Sequence, residues 1–159
     1  MIHIVSGTDF EYLPENLQRN IRKLETFDTL DSTKIYELTG NQLMKELQSH
    51  EKSLVYLFRS SCSSENCVPL KIIEEYATKN DYTLFLVLTT YADLEKTIAQ
   101  NIHSQLFSIN TDYYKRSKSR NYIPAFEADL GNDKSKNLGS VFIFHRSTLT
   151  EVKTSVLEQ

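Results

Sequence analysis

The chain has 159 residues and a formal charge of -3, with nine Tyr, eight Phe and no Trp. That length supports one domain with a substantial core that needs no staples. The mild charge argues against a general nucleic-acid or membrane-surface protein, and no apolar run approaches the ~20 residues that cross a bilayer.

Residues 1–33 read as a polar, irregular N-terminal extension lying against a domain that spans residues 34–159. Met1-Ile2-His3-Ile4-Val5 allows a short strand, and no signal-peptide pattern opens the sequence. Leu17, Ile21 and Leu24 recur at i, i+4 and i+7, which predicts a short amphipathic helix over residues 15–24. The domain begins with a strand at Ile35-Tyr36-Glu37-Leu38. Thr39 then suits an N-cap, and Leu43, Met44 and Leu47 share one helical face.

Residues 54–58 form a continuous apolar run, Leu-Val-Tyr-Leu-Phe, the pattern of a central strand covered on both faces. A helix follows from Pro69, with Leu70, Ile73, Tyr76 and Ala77 on its inner side. Residues 82–88 form a second strand of the buried type. Asp93 is placed to cap a further helix with Leu94, Ile98 and Ile102 inward. The order β-α-β-α-β-α predicts an α/β fold with a largely parallel sheet and right-handed crossovers.

Residues 103–138 read as a long connection with short strand or helix pieces. Residues 140–144 form the clearest late strand. Arg146-Ser147 turns it into residues 148–152 as an antiparallel hairpin. The inward residues expected in the sheet are Val55, Leu57, Leu84, Val87, Phe142 and Phe144.

The most informative feature is the cysteine pair, Cys62 and Cys67, where the strand of residues 54–58 gives way to a helix. A helix N-terminus carries partial positive charge, stabilises a thiolate and lowers its pKa. The spacing is C-x4-C and not the C-x-x-C of common redox motifs. Three readings of the pair stand open: a redox couple, a structural disulfide or two unpaired thiols. Closing the loop with a disulfide gains roughly 2 kcal/mol in the chain-entropy picture. A close cysteine pair also favours an extracytoplasmic compartment, the cell envelope, over the cytoplasm, because disulfides persist mainly there.

With its cysteine at a strand-to-helix turn and its late hairpin, the chain over residues 34–152 resembles the thioredoxin-like family. It is also similar to thioredoxin-like lipoproteins of the Bacteroidetes. The resemblance implies a mixed sheet flanked by helices, with Cys62 as attacking and Cys67 as resolving thiol. Protein thiols or a protein partner would be the counterpart, and no bound cofactor is implied. The alternative is a non-catalytic protein-binding module of the cell envelope, braced by a Cys62–Cys67 disulfide. This chain departs from the family in its cysteine spacing and in having Ser60 and Ser61, not an aromatic, before Cys62. No proline directly precedes Val141, where the family carries a cis-proline facing the cysteines; Pro124 is the only candidate.

Other constellations carry less. His3, His50, His103 and His145 are scattered, without the spacing of a zinc site, so no metal is expected. The run of Lys115, Arg116, Lys118 and Arg120 among Tyr113, Tyr114 and Tyr122 has basic–aromatic character. It reads as a solvated loop in an acidic protein, and no nucleic acid is expected. Asp112, Glu127 and Asp129 form no recognisable acid–base dyad in sequence.

Overall fold

The computed structural model describes residues 9–61, 68–115, 118–133 and 138–157. Short strands open the chain's sheet: β1 (Ile21–Lys23) and β2 (Ile35–Leu38). Helix α1 (Glu15–Gln18) precedes them, and α2 (Gly40–Leu47) follows. The central run then alternates strand and helix: β3 (Lys52–Phe58), α3 (Leu70–Lys79), β4 (Thr83–Leu88), α4 (Leu94–Ile98) and β5 (Leu106–Ile109). After α5 (Thr111–Tyr114) and α6 (Ser119–Asp129), the chain closes with β6 (Val141–His145) and β7 (Thr148–Lys153).

The described residues build one α/β arrangement, a seven-stranded mixed sheet in the order β1-β2-β5-β4-β3-β6-β7. Its first five strands are mutually parallel; β6 runs antiparallel to β3, and β7 antiparallel to β6. Side chains alternate across each strand, which sorts the core into two layers. Val55, Leu57, Phe85, Val87, Phe107 and Phe142 face α2 and α6. Leu54, Leu86, Val141 and Ile143 face α3. Coverage on both faces is why these strands are apolar throughout. No helix of the described residues is long and apolar enough to cross a membrane.

Local sequence explains several boundaries. The Thr39 hydroxyl accepts from the Gln42 amide at 3.1 Å, and the Gln42 carboxamide accepts from the Thr39 amide at 2.9 Å. This reciprocal capping box starts α2 as its sequence indicates. The two-residue turn at Arg146-Ser147 produces the hairpin, with Arg146 in the left-handed region at φ 50°. Pro69 is the residue before α3, its carbonyl accepting from Ile72 at 3.0 Å.

The structure differs from the sequence expectation at four points. Residues 15–24 are not one helix: α1 ends at Gln18, and Ile21 enters β1, paired with Ile35. Apolar spacing of i, i+4 also fits two separate elements, and pairing with β2 decides between them. Asp93 precedes α4 but sits at φ 58° and makes no side-chain cap. The inner face of α4 is Leu94 and Thr97, while Ile98 is 49% exposed. Leu84 is only half-buried, because it lines a surface groove between α3 and His103-Ser104.

Candidate functional site

In α/β sheets, ligands gather outside the carboxyl ends of the strands, and most readily where successive connections leave on opposite faces. Here that change falls between β4 and β5: α4, after β4, packs its Leu94 with Leu88 and Ile35, while α6, reached from β5 through α5, packs Tyr122 and Phe126 on the face of Val87 and Phe107. The gap is closed by protein. Tyr122 of α6 is fully buried, and its hydroxyl donates to the Thr89 carbonyl at 2.5 Å. Tyr91 is buried beside it, and burial raises both phenols above the ordinary tyrosine range.

An open cavity of about 540 Å³ lies one strand further, between the end of β3, the start of α3 and the chain after β7. Its floor includes Tyr56 and Phe58, alternate residues of β3 whose rings stack with centroids 5.4 Å apart. Burial raises the Tyr56 phenol. The carbonyl of Phe58 accepts from both the amide and the hydroxyl of Thr89, which locks the ends of β3 and β4 together. Beyond Phe58, Arg59 is exposed, whereas Ser60 is 9% exposed and hydrogen-bonds Thr97 of α4. Gln100 accepts the first amide of α3, that of Leu70, at 2.9 Å.

Ser140 forms the wall on the β6 side. Its amide donates to the Lys153 carbonyl at 3.0 Å, and its carbonyl accepts from the Leu57 amide at 2.9 Å. Gly139 lets this wall approach β7, since a Cβ there would lie 2.4 Å from the Lys153 carbonyl oxygen. Val156, in the turn after β7, completes the lining and is buried.

Cys62 and Cys67, the residues singled out for exchange chemistry, lie outside the described residues. Their neighbours are described: Ser60 and Val68, on either side of residues 62–67, both line the cavity. The family's cis-proline has no counterpart here. Pro124 sits inside α6, far from a strand start, and no cis peptide occurs among the described residues. Pro124 is the sixth residue of α6, past the first turn, so the helix forgoes there the amide bond to the Arg120 carbonyl that another residue would make.

The remaining sequence candidates are dispersed. Of the aromatics in the basic run, Tyr122 is buried and Tyr114 is half-buried, with its hydroxyl donating to Asp129 and accepting from the Gly40 amide. Tyr113 alone of these three is strongly exposed, at 52%. Asp112 pairs with Lys23, and Glu127 is buried beside Asn132. Among the described residues, no cluster of His, Cys, Asp and Glu is arranged to hold a metal ion.

Sequence reasoning missed the cavity walls. Thr97, Gln100, Ser140 and Val156 are distant in sequence, and their types carry no motif. It also missed Glu37, which lines a second cavity of about 510 Å³ with Lys23 and Asp112. Tyr91 donates to the Glu37 carboxylate at 2.9 Å, yet burial dominates and raises the carboxyl above its ordinary value. Comparison with protein-family models, with curated proteins and with solved structures finds no match to this chain.

Proposed function

We propose that this chain is a thioredoxin-like thiol–disulfide exchange protein acting through Cys62 and Cys67. The observation that carries the reading is the route of the chain. Strand β3 delivers it to the carboxyl edge beside the open cavity, residues 62–67 follow, and α3 begins at the opposite wall. The order β3-α3-β4, then a late antiparallel β6-β7 hairpin on the other side of β3, is the arrangement expected of such a module. The N-terminal end of α3 and the Arg59 cation would both favour a thiolate in this neighbourhood.

In the proposed reaction, the Cys62 thiolate attacks one sulfur of a substrate disulfide. A protein–substrate mixed disulfide forms, and the other substrate half leaves as a thiolate. Cys67, deprotonated, then displaces the bound half and closes a Cys62–Cys67 disulfide. The protein dithiol is oxidised, and the substrate disulfide is reduced to two thiols.

One observation favours the second reading, a non-catalytic protein-binding module with a bracing disulfide. Ser140 stands directly before β6, and both its backbone groups are already paired within the sheet. An extended substrate therefore cannot pair with Ser140. The two readings separate by redox titration. An exchange protein should show a Cys62–Cys67 couple between about -120 and -270 mV, and Cys67→Ser should accumulate a mixed disulfide by intact mass. A disulfide resistant to reduction below about -300 mV would leave the binding module.

A further inference from the structure

We propose that two copies of this chain form a weak two-fold dimer by pairing their β7 strands antiparallel, so that one sheet continues into the other. The starting point is which backbone groups of β7 are left open. The Leu57 amide donates to the Ser140 carbonyl at 2.9 Å, and the Arg146 amide to the Glu51 carbonyl at 3.0 Å. Both bonds extend the register of β3 with β6, so the even-numbered residues of β6 turn their amides and carbonyls towards β3. The odd-numbered residues Val141 and Ile143 therefore bond to their partners on β7, Lys153 and Glu151. Val152, opposite Phe142, directs its own N–H and C=O away from β6, to the outer edge of the sheet. No strand of the described residues pairs there. The register shift of the hairpin falls between Leu149 and Glu151, which leaves residues 151–153 in regular pairing with β6.

Charge identifies the occupant. Open edges invite other strands, and charged side chains of one sign ward them off. Here the charges are of opposite sign and two residues apart: Glu151 and Lys153 share one face of β7, 3.7 Å from each other in the single chain. A two-fold axis at Val152 lets this residue exchange both backbone bonds with its counterpart. Each Glu151 then stands opposite the other copy's Lys153, at the non-hydrogen-bonded positions where cross-strand side chains come closest. Moving the axis to residue 151 or 153 sets Glu151 or Lys153 opposite itself, so charge selects the register as well as the partner. The far edge offers no comparable ladder, since β1 has only three residues.

Sedimentation velocity tests this over a concentration series up to about 1 mM, the weak end of specific affinity. Reductant is kept present so that Cys62 and Cys67 cannot link copies. The wild-type protein should pass from monomer to dimer, and the Val152 amide should gain protection from hydrogen exchange as it does. Glu151→Lys and Lys153→Glu each place two like-charge pairs across the axis, and each should weaken the dimer about tenfold. An equimolar mixture of the two single variants should recover the dimer, and so should the double variant, because both restore opposite charges at each crossing. High salt should weaken the wild-type dimer. Circular dichroism of each variant at low concentration checks that the fold is kept. A wild-type protein that stays monomeric at the top of the series would overturn the proposal. So would a dimer that the single variants leave unchanged, or a mixture no tighter than its components. A dimer whose Val152 amide stays unprotected would place the association on another surface and refute the pairing.

Discussion

Replacing Phe142 by Ala is expected to remove about 4 kcal/mol of stability. Phe142 is fully buried, and on β6 it stands opposite Val55 of β3 and Val152 of β7. Its ring belongs to the cluster that includes Val55, Leu57 and Phe126. Core Phe→Ala changes cost about 3–5 kcal/mol, with the higher values where the surroundings cannot collapse into the void. Here hydrogen-bonded ladders hold the backbone on both sides of Phe142, so the upper part of that range applies. Against a total of roughly 5–15 kcal/mol for a domain, the loss is large. With a urea slope of about 2 kcal/mol/M, the midpoint should fall by about 2 M at an unchanged slope. Equilibrium unfolding followed by far-UV circular dichroism and tyrosine fluorescence measures this. Leu84→Ala on β4, where the side chain is half-buried, should cost about half as much. A loss below ~1 kcal/mol for Phe142→Ala would show that β6 is peripheral and the strand order wrong.

Three further outcomes are expected. Glu37 has a folded-state pKa raised above 4.5, chiefly by burial. Its protonated form therefore supports the fold, and that contribution is present below the unfolded pKa and lost as pH rises through the folded one. Glu37→Gln should flatten the stability profile above about pH 4.5 and be the more stable protein near neutrality; parallel profiles for the two proteins would contradict this. Thr39→Ala should cost about 1 kcal/mol, since it removes the capping box of α2, and an unchanged thermal midpoint would count against that role. Gly139→Ala places a methyl 2.4 Å from the Lys153 carbonyl oxygen and should cost about 1–3 kcal/mol. Tolerance of alanine there, with an unmoved urea midpoint, would mean that β7 does not press on the Ser140 wall.

The alternation of strands and helices from Ile35 to Ile98, and the late hairpin, were legible in the sequence, because burial on both faces of a sheet leaves a continuous apolar run; β5 and α6, inside the stretch read as a long connection, were not. The capping box at Thr39 and the turn at Arg146-Ser147 were legible for the same local reason: each depends on residues within a few positions of one another. Strand partners were not legible. The β2-α2-β3 connection passes over two strands that come later in the chain, and nothing near Leu38 signals that β5 will pair with it. Ile21 likewise became an edge strand only because β2 offered it a free ladder. The position of the cysteine pair at a strand-to-helix junction came from sequence alone. The cavity beside it was decided by tertiary structure, which brings Arg59, Thr97, Gln100, Ser140 and Val156 together from four separate stretches of chain. Local residue types set the elements, whereas the residues lining the cavity meet only through packing between elements remote in sequence.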